Sequence, residues 1–199
     1  MHALESTETG DDGTVFRDVI MLALLGFAAI VMLLLPHLNP PVAVAAAPPP
    51  GNIIVEVRWP DELDSDVDLW VEAPGDVPVG YSNKGGRVFN LLRDDLGQFG
   101  DATRLNYEIA YSRGTPAGDY TVNLHLYRNS AGRLPVSAVV VVSLKHDPAS
   151  SIRTIATEEV ELTRVGQELT VIRFSLDGEG NLIPGSVNHL QRDLRSAGS

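Results

Sequence analysis

The sequence predicts a single N-terminal transmembrane α-helix followed by an all-β antiparallel sandwich, Ig-like or jelly-roll-like in outline. Three observations predict it. Every residue from Val19 to Leu35 is apolar or glycine, a composition that suits hydrocarbon better than any aqueous surface. From Ile53 onward, short runs rich in Val, Ile, Leu, Tyr and Trp are separated by Gly, Pro, Asn and Asp, and no long helical period recurs. The 199 residues are enough for one ordinary domain plus an anchor. The expected order is a cytoplasmic N-terminus (1–14), a transmembrane helix (15–35), a Pro/Ala-rich linker (36–51), a β-sandwich (52–178) and a C-terminal tail (179–199).

The helix comes first. At 1.5 Å per residue, the run Val19–Leu35 spans roughly 25 Å, close to a hydrocarbon core once Val15, Phe16 and some tilt are added. A soluble core helix would keep a polar stripe, and this one has none after Asp18. Ala43, Ala45 and Ala47 supply the small residues of a signal-peptide cleavage site, which is the alternative. Against it stand an acidic leader where a signal peptide wants Lys or Arg, and an apolar run longer than the usual roughly 7 to 15 residues. Arg17 is the one basic residue before the run and none follows until Arg58, which favours a cytoplasmic N-terminus and a β-domain on the non-cytoplasmic side. Pro36, Pro40 and Pro41 end the helix, and Pro48 to Pro50 extend the linker.

Eight strands are expected: Ile53 to Trp59, Val67 to Glu72, Arg87 to Leu91, Tyr107 to Tyr111, Tyr120 to Tyr127, Val136 to Leu144, Ile152 to Glu161 and Glu168 to Leu176. Alternation sends Val67, Leu69 and Val71 one way and Asp66, Asp68, Trp70 and Glu72 the other. Val139 to Val142 has no polar face and suits a central strand or one covered on both sides. Gly85 and Gly86 read as a hairpin turn, since glycines readily adopt positive φ. Asn188 to Ser199 reads as a loose polar tail.

Charge and composition exclude several functions. With 26 acidic against 15 basic side chains and a net charge of −11, the surface repels nucleic-acid phosphates. The absence of cysteine removes thiolate metal sites, disulfides and a cysteine nucleophile. No G-x-S-x-G elbow, H-E-x-x-H helix or phosphate-binding loop occurs, and His125 and His146 lack recognisable catalytic neighbours, so no enzyme is expected.

Two candidate sites remain. The closely spaced acids Asp61, Glu62, Asp64, Asp66 and Asp68 offer hard oxygen ligands of the kind calcium takes, and Asp94 and Asp95 join them if their loop folds back over the strand. The candidate metal set is therefore Asp64, Asp66, Asp68, Asp94 and Asp95, without an EF-hand pattern; otherwise no cofactor is expected. The alternative is a solvated turn in which Asp66 and Asp68 face water or cap amides. Trp59, Trp70 and Tyr81 could form a carbohydrate-stacking patch or pack as ordinary strand aromatics. Asp18 stands at the edge of the apolar run or about one turn inside it, where it is either solvated among headgroups or an ion-carrying carboxylate.

The segment Asp18-Val19-Ile20-Met21-Leu22-Ala23-Leu24-Leu25-Gly26-Phe27 resembles the transmembrane helix of the ExbD/TolR family and, more loosely, of MotB-type stator proteins. That resemblance implies an ion-carrying role for Asp18, a multi-pass ExbB/TolQ/MotA-like partner and an inner membrane with the soluble domain in the periplasm; a homodimer through the helix is a further expectation. Arg17 and the β-rich domain depart from the pattern. Separately, Asp64-Ser65-Asp66-Val67-Asp68-Leu69-Trp70-Val71, Pro74-Gly75, Tyr81, Asp94-Asp95-Leu96-Gly97, Glu108 and Gly118-Asp119-Tyr120-Thr121-Val122 with Tyr127 are similar to the YfaP-like domain of unknown function. This implies an extracytoplasmic β-sandwich. The expected functions are thus a membrane-anchored envelope protein acting as the B-type subunit of a proton-driven complex, with a periplasmic domain binding a protein or cell-wall partner, or a tethered binding or adhesion module, stabilised by calcium, with no ion transport.

Overall fold

The computed structural model describes residues 12–38, 51–97, 105–146 and 151–195. The chain divides into two compact units, Met1–Ala47 and Pro48–Ser199. The first contains α1 (Asp12–Leu38). Its stretch Val15–Leu34 is long and apolar enough to cross a membrane, and none of it is buried within the protein. Apolar side chains exposed all round a helix need an apolar surrounding, which is what a bilayer supplies. The helix continues past Pro36, where the sequence suggests it stops. A proline in the last turn forfeits only its own amide bond, close to an end whose final carbonyls lack helical partners anyway.

The second unit is an antiparallel sandwich of β1 (Ile53–Arg58), β2 (Ser65–Glu72), β3 (Phe89–Arg93), β4 (Tyr107–Ser112), β5 (Gly118–Asn129), β6 (Val136–Leu144), β7 (Arg153–Leu162) and β8 (Glu168–Leu176). One sheet has the order β3-β4-β1-β6-β7 and the other β2-β5-β8. This settles the choice of outline. Reading β6-β1-β4-β3 and β2-β5-β8 as the two sheets reproduces the neighbour pattern of an Ig-type domain, with the β6–β7 hairpin on the flank of β1 where such a domain has its first strand. A jelly roll would need two four-stranded sheets.

The core lies between the sheets. Val67, Leu69 and Val71 of β2 and Val122, Leu124 and Leu126 of β5 face Val55 and Val57 of β1 and Val140 and Val142 of β6, with Ala138 and Ala110 beside them. Tyr120 stacks on Phe174 at 5.0 Å, meets Phe89 edge-on at 6.2 Å and donates its hydroxyl to Pro116 O at 2.6 Å. That backbone clamp holds the start of β5 to the turn before it, and burial pushes the phenol up from its ordinary pKa. β6 is central in its sheet, between β1 and β7, but its outer face is not covered: Val139 is 37% exposed.

Unpaired sheet edges invite association, and among the described residues three of the four edges have local cover. β3 is met by Lys84 O, which accepts from Leu91 N at 2.9 Å. β2 exchanges two bonds with Val79 (2.9 and 2.8 Å). β8 is followed by a strap that the sequence suggests is a loose tail. Ile183 N donates to Ser175 O, and Arg173 and Asn188 exchange backbone bonds at 2.8 and 2.9 Å. The strap then crosses the outer face of the small sheet. Arg192 O accepts from Asn123 Nδ2 at 2.7 Å, Leu194 N donates to Glu168 Oε1 at 2.7 Å, and Leu194 is fully buried. Its backbone is polar and so are Thr121, Asn123 and Thr170 beneath it, which explains why hydrophobic patterning misses this contact. The fourth edge, β7, faces water with Glu159 and Glu161 exposed, and charge serves there in place of cover.

Gly85 and Gly86 do not adopt positive φ. Gly86 instead allows a close approach, because a Cβ there would lie 2.6 Å from Asp76 Oδ2. That carboxylate accepts from Val77 N at 2.9 Å and Val88 N at 2.7 Å. Although burial raises its pKa somewhat, these amides hold the Asp76 carboxyl below its ordinary value.

Candidate functional site

Asp66, Asp68 and Trp70 lie on the face of β2 turned away from the core. A water-facing role for Asp66 and Asp68 does not hold: Asp66 is 4% exposed and Asp68 3%. The loop after β3 folds back against β2, as a site built with Asp94 requires. A Cβ on Gly97 would stand 3.0 Å from Ser65 O, and the positive φ of Gly97 (69°) makes the bend. Arg128 of β5 fastens this loop, donating to Leu96 O at 2.6 Å and pairing with Asp64 at 3.4 Å.

Glu108 completes the arrangement. On β4 it alternates in phase with Ala110 and Ser112, so it points inward, and it is fully buried. β2 is an edge strand whose Leu69 N–H points away from β5, and Glu108 Oε2 accepts it at 2.7 Å. Oε1 accepts Asp95 N at 3.0 Å, so one carboxylate closes a sheet edge and pins a loop. Carboxylate oxygens of Asp68, Asp94 and Glu108 all lie within 4.8 Å of one another.

Positive charges offset these acids only in part: Arg128 opposes the effect of burial on Asp66, and His125 and Arg195 oppose it on Asp68. Lys84 Nζ sits 2.8 Å from Asp94 Oδ2, and the lysine is itself largely exposed. Asp66 Oδ1 and Asp94 Oδ1 are buried with no hydrogen-bond partner among the described residues. Burial, reinforced by the Asp68 charge, pushes Asp66 up to about 7. Burial also raises Asp68, against an opposing hydrogen bond from His125, and lifts Glu108 well above the carboxylate range despite its two amide donors.

His125 links this cluster to the strap. Its Nδ1 lies 2.7 Å from Asp68 Oδ2 and its Nε2 lies 2.6 Å from Arg195 Nη1. A guanidinium can only donate, so Nε2 accepts and the ring proton sits on Nδ1, donated to Asp68. With both nitrogens engaged, the ring has no free lone pair to take a proton from a nucleophile.

The aromatic residues separate. Trp59 packs in the core and donates Nε1 to Ser65 O at 3.0 Å. Trp70 lies under Gly80, whose missing Cβ lets the backbone rest on the indole, and its Nε1 is buried without a partner among the described residues. Tyr81 meets Trp70 edge-on at 5.6 Å and Tyr127 at 5.8 Å. Trp70, Val77, Pro78, Tyr81, Ser82, Asn83 and Arg195 line a cleft of about 530 Å³. A stacking patch of Trp59, Trp70 and Tyr81 is therefore not assembled, and Tyr81 with the half-exposed Tyr127 is the aromatic surface that is.

Of the metal candidates, Asp68 and Asp94 meet with Glu108, and Asp66 lies on the same face as Asp68. Asp64 is engaged by Arg128. Asp95 accepts from Gly97 N at 2.9 Å, Arg93 Nη2 at 2.8 Å and Tyr107 N at 3.2 Å, and so builds the loop. Asp61 caps Asn106 N at 2.9 Å. Asp18 is exposed on α1, on one face with Met21, Leu22 and Leu25, three residues into the Val15–Leu34 stretch and so about 5 Å from its start. Glu108 escapes a search for acid runs because it stands alone between tyrosines. The available signal is a glutamate in the inward phase of a strand, opposite Tyr107 and Tyr111. No protein-family model, curated protein or solved structure matches the chain.

Proposed function

We propose that the chain is a non-enzymatic binding module of the cell envelope, with α1 crossing the inner membrane, its N-terminus cytoplasmic, and the sandwich held in the periplasm to bind cell-wall glycan. The cleft beside β2 carries this reading. It combines an aromatic wall at Tyr81 with the polar groups of Ser82, Asn83 and Arg195. Sugar rings offer what such a wall takes: C–H faces to lie on an aromatic ring and hydroxyls to fill hydrogen bonds. Co-sedimentation of the full chain in nanodiscs with insoluble cell-wall glycan tests it. Tyr81→Ala should weaken binding about tenfold, the equivalent of ~1.4 kcal/mol, with an unchanged melting temperature. Equal sedimentation of variant and parent, or none by either, overturns it.

A second reading is favoured by Asp18. A carboxylate inside an apolar span is costly and usually functional, and this one shares its face with Met21, Leu22 and Leu25, a surface fit for a neighbouring helix. In that reading the chain is the ExbD/TolR-like subunit of a proton-driven complex with a multi-pass partner. Asp18→Asn should abolish ion-driven activity while the chain still inserts and still co-purifies with that partner in mild detergent. Full activity of the variant removes this reading.

A further inference from the structure

We propose that Asp68, Asp94 and Glu108, with Asp66 beside Asp68 on the same face of β2, form a binding site for one hard divalent cation of the calcium class, which locks the loop after β3 onto the edge of the small sheet.

Geometry is the first ground. Oxygens that share a calcium ion lie about 2.3–2.6 Å from it, hence no more than about 5 Å apart. The Asp68, Asp94 and Glu108 oxygens satisfy this, lying within 4.8 Å of one another. They come from three separate strands or loops, so a shared ion joins pieces of chain far apart in sequence.

The second ground is independent of the clustering. Asp66, only 4% exposed, keeps Oδ1 out of solvent with no hydrogen-bond partner among the described residues, and the charges acting on it are Asp68, then the opposing Arg128, then Asp94 and Asp95. Asp94 Oδ1 is in the same condition. Buried carboxylate oxygens without a donor are costly, and a cation supplies what they lack.

The surroundings hold the ligands in place without consuming them. Leu69 N and Asp95 N each take one lone pair of Glu108, His125 Nδ1 takes one of Asp68 and Lys84 one of Asp94. Each oxygen has a second lone pair, and supporting donors of this kind are what orient metal-binding carboxylates. An all-oxygen donor set, with no thiolate and with the His125 ring nitrogens already engaged, selects a hard ion over zinc. The ion site does not depend on the glycan cleft.

The test uses the full chain in detergent, stripped with chelator and titrated with calcium chloride, with magnesium chloride in parallel. Calcium should raise the melting temperature and bind with a stoichiometry of one by calorimetry, more tightly than magnesium. Asp94 is partly exposed, so Asp94→Asn should fold and lose at least tenfold in affinity. Lys84→Ala, which frees Asp94 Oδ2, should keep or tighten binding. No heat and no thermal shift with either ion in the parent chain, or undiminished calcium affinity in both Asp94→Asn and Asp66→Asn, overturns the proposal.

Discussion

Asp66 and Asp68 on β2 and Glu159 and Glu161 on β7 are two pairs of acids, each spaced two residues apart on a sheet-edge strand of the same sandwich. The first pair is almost wholly buried, whereas the second stands in water. Strand position and spacing do not separate them. What does is the chain laid over each. β2 receives the loop after β3 on one side and the strap at Arg195 on the other, while nothing comparable crosses β7 among the described residues. An acid under cover must find donors or hold its proton, and an acid in water need do neither. The same composition therefore builds a candidate site at one edge and a repulsive, association-resistant edge at the other.

The sharpest way to break the contrast is to remove the residue that closes the β2 edge. Glu108→Leu leaves the Leu69 and Asp95 amides buried without an acceptor, at a cost of ~1–3 kcal/mol each, so a loss of about 4 kcal/mol is expected in chelator. Chemical denaturation measures it, and a loss under about 1 kcal/mol would mean that water replaces the carboxylate. Next is the strap. Leu194→Ala trims a fully buried side chain at the end of the polar crossing and should cost about 2–3 kcal/mol. If Asn188 onward were only a loose tail, the substitution would be silent.

The pH response separates the two pairs again. Asp66 has a folded pKa of about 7, above its unfolded value, so the folded state keeps this proton longer than the unfolded state does. Stability in chelator should then fall as pH rises from about 4 through about 7, with Asp68 and Glu108 contributing in the same direction. Asp66→Asn should flatten that decline, raising the melting temperature near pH 8 and changing it little near pH 5. Asp76, with its pKa lowered by amide donors, acts oppositely: its contribution is present above the ordinary carboxylate range and is lost as pH falls. An unaltered slope in Asp66→Asn would show that its proton is not what the fold retains.

These residues also mark how far the sequence could be read. The eight strands are legible because apolar alternation is imposed locally by burial of one sheet face, and the observed ends differ by two residues or fewer from those expected. The helix is legible because lipid tolerates no polar stripe. The cover on β2 is not, since it depends on a loop some thirty residues along the chain and a strap beyond residue 180, both held by polar bonds that leave no hydrophobic period. Asp68 and Asp94 stood out through their neighbours, whereas Glu108 had none. Asp64 and Asp95 looked equivalent to them, and only their donors distinguish them.

The smallest effect should come from the exposed pair. Glu159 and Glu161 lie on the free edge of β7, where a single neutral substitution changes hydration little, so Glu159→Gln with Glu161→Gln should alter stability by less than about 0.5 kcal/mol. Their effect should appear instead in association. Without those charges the β7 edge presents unpaired amides and carbonyls beside the partly exposed Val139 of β6, a surface on which a second copy can pair. Light scattering of the variant at rising concentration should show oligomers that the parent does not form, with the melting temperature unchanged at low concentration. A loss of stability without association would instead give these glutamates a structural part like that of Glu108, and the division between covered and open acids would no longer follow from what crosses each strand.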